Sequence, residues 1–202
     1  MEAEDPKARL KELYLPATKE FVFVDVPEMQ FAMIDGEGSP DDDRFKHSVR
    51  WLFSAIRPIR PIAKERMGKD FVEPPLEGLW WADDMNDLIA GHKDKLKWRL
   101  MIVMADWVDR DMFERGVATA SERLGEVPDG LRLERFDEGR SVQIMYVGDY
   151  SRGAAALARR LHEEFLPRHD LAPNGHQHEI YLSDPARVAS EKMRTVVRQP
   201  VR

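Results

Sequence analysis

The chain has 202 residues, and its 31 Lys and Arg against 37 Asp and Glu leave a formal net charge of −6. That balance argues against a nucleic-acid partner, whose phosphates call for net positive charge. There is no cysteine, which excludes disulfides, thiol nucleophiles and Cys-held zinc or iron–sulfur clusters.

Met1 to Glu12 is charged and lacks the apolar stretch of a signal peptide. The densest apolar run, Leu100 to Ala105, falls well short of the roughly 20 residues that cross a bilayer. A cytoplasmic protein with no membrane partner is therefore expected.

Phe21 to Val26 reads as a strand, and after a turn at Pro27 and Glu28 a second runs from Gln30 to Asp35. Ser39, Pro40 and Asp41 to Asp43 mark a helix start, because proline suits the first turn and carboxylates suit the helix dipole. Phe45, Val49, Leu52, Phe53 and Ile56 follow as its apolar stripe, and Pro58 and Pro61 are expected to end it. An irregular stretch leads to Phe71–Ala82, and a polar insertion with Asp83, Asp84 and Gly91 precedes a strong strand, Trp98 to Met104. Asp109 can cap a second helix, with Phe113, Val117, Ala120 and Leu124 on one face and Gly125 closing it. Strands Leu131–Phe136 and Ser141–Val147 flank a turn at Glu138 and Gly139. Ser151 is expected to cap a third helix carrying Ala154, Leu157, Ala158, Leu161 and Phe165, and strands Glu179–Leu182 and Met193–Arg198 finish the chain.

The order strand, glycine turn, helix, strand, strand occurs twice. The wording echoes as well, with Ala32-Met33-Ile34-Asp35-Gly36 set against Met145-Tyr146-Val147-Gly148. In that alignment Glu77 corresponds to Glu179. The expectation is an α+β fold of duplicated strand–helix–strand–strand modules, forming an antiparallel sheet with helices on one face and a ligand cleft between the halves. One domain should span residues 1–202, with pseudo-repeats at about 18–107 and 131–199 and residues 108–130 as the connecting helix.

In His178-Glu179-Ile180-Tyr181-Leu182 the strand alternation puts Glu179 and Tyr181 on one face and Ile180 and Leu182 on the other. If the apolar pair packs under a helix, a carboxylate and a phenol share the opposite, concave face, as a general base and a hydrogen-bond donor. Glu77 has the same logic. Of the five tryptophans, Trp51 reads as core, whereas the adjacent Trp80 and Trp81 cannot both enter one core, so one is available to stack on an aromatic or cationic ligand. Met33, Met101, Met104 and Met145, among ten methionines, would suit an adaptable pocket or an ordinary core equally.

Other motifs fail. His176 and His178 would share a strand face, but Glu179 would point away from them and no third metal ligand is apparent. His162-Glu163 opens like a zinc-protease motif, yet Leu166 stands where its second histidine is needed. Gly36-Glu37-Gly38 lacks the third glycine of a dinucleotide loop, and no Gly-x-Ser-x-Gly elbow exists. No metal and no cofactor are expected.

The run Pro75-Leu76-Glu77-Gly78-Leu79-Trp80, the strand Trp98–Met104 with Asp106-Trp107-Val108, and Glu179-Ile180-Tyr181-Leu182-Ser183-Asp184-Pro185 resemble the GyrI-like small-molecule-binding family. The likeness is greatest to its stand-alone branch, which includes cyclopropanoid cyclopropyl hydrolases. It runs from about Tyr14 to Val201 and implies the duplicated module already read from the element order. It further implies a cleft between the halves, lined by aromatics, with a glutamate at its floor, a position that Glu179 matches. Relatives either bind cationic aromatic drugs or hydrolyse the strained cyclopropane of DNA-alkylating antibiotics such as yatakemycin, so drug resistance is an implied role. With only a short lead-in before Phe21, no DNA-binding domain is expected there. One departure is Gln177, where the branch would have histidine. On this reading the partner is a hydrophobic aromatic small molecule held by Trp80, Trp81, Trp98, Met33, Met101, Met145 and Glu77. Glu179 then serves as base, and Tyr181 or Tyr146 as donor to the developing oxyanion.

Overall fold

The computed structural model describes residues 11–84, 87, 90 and 92–202, and for Ser151 the backbone alone. The residues before Lys11, Gly91 and the side chain of Ser151 therefore lie outside the described residues. The first half contains a short helix α1 (Lys11–Tyr14), β1 (Val22–Val26), β2 (Met29–Glu37), α2 (Asp43–Ile56), α3 (Ile59–Met67), β3 (Leu76–Trp81) and β4 (Lys97–Met104). Helix α4 (Arg110–Leu124) leads to β5 (Arg132–Phe136), β6 (Gly139–Val147), α5 (Tyr150–Arg159), β7 (Gln177–Tyr181) and β8 (Arg194–Pro200). Beyond Arg159 the helix continues through a π-helical stretch, Arg160–Phe165, and a last turn, Leu166–Arg168. The α+β class holds: the strands form one antiparallel sheet in the order β1-β6-β8-β7-β3-β4-β2-β5, with helices against it. Among the described residues, no helix is long and apolar enough to cross a membrane.

Local chemistry explains most boundaries. The Asp109 carboxylate accepts from the Met112 N–H at 2.8 Å and caps α4, and Gly125 ends it at φ 84°. One expectation is corrected between Pro58 and Gly68, where a helix forms instead of an irregular stretch. Pro61 falls in the first turn of α3, where the missing N–H has no helical partner to lose. Gly68, left-handed at φ 67°, closes α3. Helix α5 begins at Tyr150, one residue before the expected cap.

Each half lends a strand to the other. β1 pairs with β6, and β5 pairs with β2, so each half's first strand lies against the other half's second. Trp98, Leu100, Ile102 and Met104 of β4 pack with Leu52, Ala55 and Ile56 of α2 and with Met112 and Phe113 of α4. Val142, Ile144 and Val197 meet Leu157 and Leu161 beneath α5 and its extension. The reverse face is equally apolar. Phe31, Met33, Met101, Val103 and Ile180 are buried there beside Leu13 and Tyr14.

The halves are related by an approximate twofold axis between β3 and β7. Gly78 stands directly opposite Glu179, flanked by Glu77 opposite Ile180 and Leu79 opposite His178. Exchanging the strands about that central pair carries Gly78 onto Glu179, Glu77 onto His178 and Trp80 onto Tyr181. Two glycine turns support the same register. Gly38 N–H donates to the Leu96 carbonyl just before β4, and Gly148 N–H donates to the Met193 carbonyl just before β8. The alignment of Glu77 with Glu179 is thereby corrected by one residue, and the two side chains project from opposite faces of the sheet.

Gly116 brings α4 against α2 so closely that a Cβ there would lie 2.1 Å from the Ala55 carbonyl oxygen. Gly116→Ala is expected to destabilise the fold by about 1–3 kcal/mol, the overpacking cost exceeding the gain in helix propensity. Urea unfolding checks it, and a stabilised variant would refute the contact.

Candidate functional site

The strand alternation that groups Glu179 with Tyr181 is present, but the faces are reversed from expectation. Ile180 belongs to the reverse core, whereas Glu179 and Tyr181 lie on the helix side, in the seam between α2 and α5. The Glu179 carboxylate is buried at 8% exposure and is met by neutral donors. Tyr181 OH donates to its Oε2 at 2.8 Å and Gln177 Nε2 to its Oε1 at 2.9 Å. Tyr150, the first residue of α5, adds a third hydrogen bond to Glu179 and also accepts from Gln177 Nε2 at 3.2 Å.

Trp80 completes the group. Its indole N–H donates to Tyr181 OH at 2.9 Å, and its ring stacks on Phe45 of α2 with centroids 5.7 Å apart. A relay thus runs from the indole N–H through the phenol to the carboxylate. Gly78 makes room for it, since a Cβ there would come within 2.9 Å of the indole nitrogen. Burial pushes the Glu179 carboxyl above its ordinary range, against the pull of its three donors and of the charge on His178. Burial and the neighbouring Glu179 charge push the Tyr181 and Tyr150 phenols well up, so both remain protonated donors.

The other expected ligand-binding side chains do not join this cluster. Trp98 is a fully buried core residue beneath α2, edge-on to Phe45 at 5.2 Å, and its ring fills the space that Gly36 leaves open. Met33, Met101 and Met145 are buried on the reverse face, because the odd–even alternation of β2, β4 and β6 points them away from Glu179. Trp81 also faces that side and stacks on His176 at 4.2 Å. Tyr146 reaches the Asp149 carbonyl at 3.5 Å rather than Glu179, although its ring lies 5.5 Å from that of Tyr150. It also lines a groove of about 430 Å³ with Ile144, Leu157 and Arg160. Tyr150 was not singled out from the sequence, for it stands in a helix start rather than a strand.

Glu77 has a different setting. It is fully buried on the reverse face, where Tyr14 OH donates to its Oε1 at 2.8 Å. His178 Nε2 lies 2.9 Å from Glu77 Oε2, and Nδ1 lies 3.0 Å from Glu138 Oε2. The Nε2–Glu77 approach is an ion-pair contact without hydrogen-bond alignment, whereas Nδ1 hydrogen-bonds Glu138, and a carboxylate near each ring nitrogen favours the imidazolium. Arg198 then donates to Glu138 at 2.9 Å, to Gln143 at 3.0 Å and to the Leu13 carbonyl at 2.8 Å. Burial disfavours the charge on His178, but Glu138 and Glu77 outweigh it and raise the imidazole to about 9. Burial would raise Glu138, yet His178 and Arg198 bring it down to about 2.

With this geometry in place, the comparisons give the class of protein. Residues 19–202 match the GyrI-like small molecule binding domain, and the chain belongs to that family. A conserved protein from Listeria innocua of uncharacterised role is 33% identical, with 98% of this chain and 99% of that chain covered and a TM-score of 0.84. A hydrolase from Listeria innocua is 32% identical, with 98% and 99% covered and a TM-score of 0.80. A further Listeria innocua hydrolase is 31% identical over 100% of both chains, with a TM-score of 0.82. No curated protein matches the chain.

His178 and Glu138 make a defined contribution to the stability profile. His178, raised to about 9, contributes stability that is complete below its ordinary value near 6.5 and is lost as pH rises toward 9. Glu138, lowered to about 2, contributes stability that is complete above 4.5 and is lost as pH falls toward 2. The part of the unfolding free energy that these two groups supply, read in urea as wild type minus a His178→Gln, Glu138→Gln double variant, should therefore be greatest between about pH 4.5 and 6.5 and decline on both sides. A profile still rising from pH 7 to 9 would contradict the charged imidazole.

Proposed function

We propose that this GyrI-like domain binds flat, hydrophobic aromatic small molecules at the Glu179 seam and hydrolyses cyclopropanoid genotoxins there. The observation that carries the proposal is the buried Glu179 carboxylate, held by Tyr181, Tyr150 and Gln177 beside the Trp80 indole. Full-length similarity to two Listeria hydrolases supports the catalytic part.

In the proposed reaction a water oxygen attacks the unsubstituted cyclopropane carbon, and the C–C bond to the conjugated dienone breaks. The electron pair moves into the ring system, which becomes a phenolate. Glu179 takes a proton from the attacking water, its raised pKa improving it as a base near neutral pH. A phenol from Tyr181 or Tyr150, released from Glu179 as that carboxylate is protonated, donates to the phenolate oxygen. Water is added overall, and the proton on Glu179 passes on to the product to restore the carboxylate.

A binding-only reading is favoured by one feature: among the described residues no cationic side chain hydrogen-bonds Glu179, as suits a counter-charge for a cationic drug. Glu179→Gln separates the readings, because it keeps side-chain volume and so should keep the fold. Under hydrolysis, multiple-turnover assays with a neutral yatakemycin-type cyclopropanoid should show a loss of about 10²–10⁴ in rate with affinity little changed. Binding alone gives no turnover in either protein, and an affinity loss confined to cations. Turnover that survives in the variant removes Glu179 as base.

A further inference from the structure

Glu179 and His178 are consecutive on β7, so their side chains leave the strand on opposite faces of the sheet. On the helix side, Glu179 meets Tyr181 and Gln177 of its own strand and Tyr150 of α5, with the Tyr146 ring of β6 against Tyr150. From β3, Gly78 stands directly opposite without a side chain, and Trp80 reaches the carboxylate only through Tyr181. From β8, the residue opposite is Val197. None of these groups is cationic.

The positive charge lies behind the strand. His178 is 0% exposed, with Glu77 of β3 at one ring nitrogen and Glu138 of the β5–β6 turn at the other. Glu138 is in turn held by Arg198 of β8, and Glu77 by Tyr14 of α1. In a low-dielectric interior a charge acts across a single strand with far more force than it would in water.

We propose that His178 is a positioning residue for Glu179: its buried positive charge, clamped behind β7 by Glu77 and Glu138, favours the ionised form of the Glu179 carboxylate on the other face. The device supplies a cation without placing one in the ligand seam. A lysine or arginine beside Glu179 would neutralise it directly and compete with a bound cation, whereas His178 acts through the sheet and leaves the seam free. The inference rests on the functional reading above for its consequence in ligand binding, though its test does not.

The test follows the Glu179 carboxyl by ¹³C NMR titration, without ligand, in wild type, His178→Gln and Glu77→Gln, with the resonance assigned from Glu179→Gln. Loss of the cation should move the Glu179 midpoint up by about half a pH unit or more. Glu77→Gln keeps an acceptor oxygen for Tyr14 while removing a buried negative charge, so it should move the midpoint down. A merely structural role predicts no such pair of opposite shifts. Shifts of the same sign, or none in either variant, overturn the proposal. Should His178→Gln not fold, His178→Met, uncharged and of similar volume, takes its place: an upward Glu179 midpoint supports the proposal, and an unchanged or downward one refutes it. In wild type the His178 ring ¹⁵N shifts must report imidazolium at pH 7, and a neutral ring there refutes it outright. Because no ligand is present, these results stand whether or not a cyclopropanoid is turned over at Glu179.

Discussion

Four buried charges at the twofold axis constrain everything else in this molecule. Glu77, His178, Glu138 and Arg198 form a chain of ion pairs on the reverse face, each within 3.0 Å of the next. Removing such groups from water costs several kcal/mol per ion, and their mutual attraction repays it only when every donor and acceptor is placed. Their value therefore lies more in specificity than in net stability. The chain draws on β3, β7, β8 and the β5–β6 turn, and Arg198 and Tyr14 add the segment at α1. A slip of one residue between β3 and β7 would carry Glu77 or His178 into the helix-side core and drive Glu179 into the reverse one. The register that satisfies the ions is the register that presents Glu179.

The duplicated halves have diverged most where they meet. Axis-related positions touch each other twice: Glu77 with His178 on the reverse face, and Trp80 with Tyr181 on the helix face. In both cases the axis-related positions hold a complementary pair, an acid with a base and an N–H donor with a hydroxyl acceptor. At the centre the divergence is Gly78 against Glu179. A side chain at Gly78 would press on the Trp80 indole, so the seam has room for one central carboxylate and not two. Two acids there would also raise each other's pKa, and only one could be ionised with ease. Under the proposed function, asymmetry is thus a condition of a working acid at this axis.

Much of the fold was legible in the sequence because each strand carries a period-two signal and each helix a stripe. What could not be read was which side of the sheet the helices cover. β4 offers Trp98, Leu100 and Ile102 on one face and Met101 and Val103 on the other, and both faces are buried. Apolar alternation decides nothing when both sides are apolar, so the sequence does not separate the methionines from a glutamate they never meet. The repeat register failed for a related reason. The matching letters around Gly36 and Gly148 outweighed the correct partner, Gly38, whose left-handed backbone it shares with Gly148. In the sequence His178 offers only its spacing to His176, which fails as a metal site, because its acidic neighbours, Glu77 and Glu138, lie far away in sequence. Tyr150 carried no strand pattern and gave no signal beyond being a tyrosine at a helix start.

The chemistry of Glu179 turns on a balance that neither face supplies alone. Burial by itself would leave the carboxyl protonated, useless both as a base and as a counter-charge. Three neutral donors favour the anion, but each of them is also a candidate to bind the ligand, and a donor diverted to ligand no longer supports the carboxylate. A cation in the seam would solve that problem and create another, because it would occupy the acid permanently. Charge held behind the strand escapes both difficulties. In the proposed mechanism it would be present whether the seam is empty or filled, and it would free Tyr181 and Tyr150 to exchange a hydrogen bond to Glu179 for one to an incoming oxygen. Under that mechanism the reverse-face ions belong to the proposed site, although no ligand in the seam would touch them.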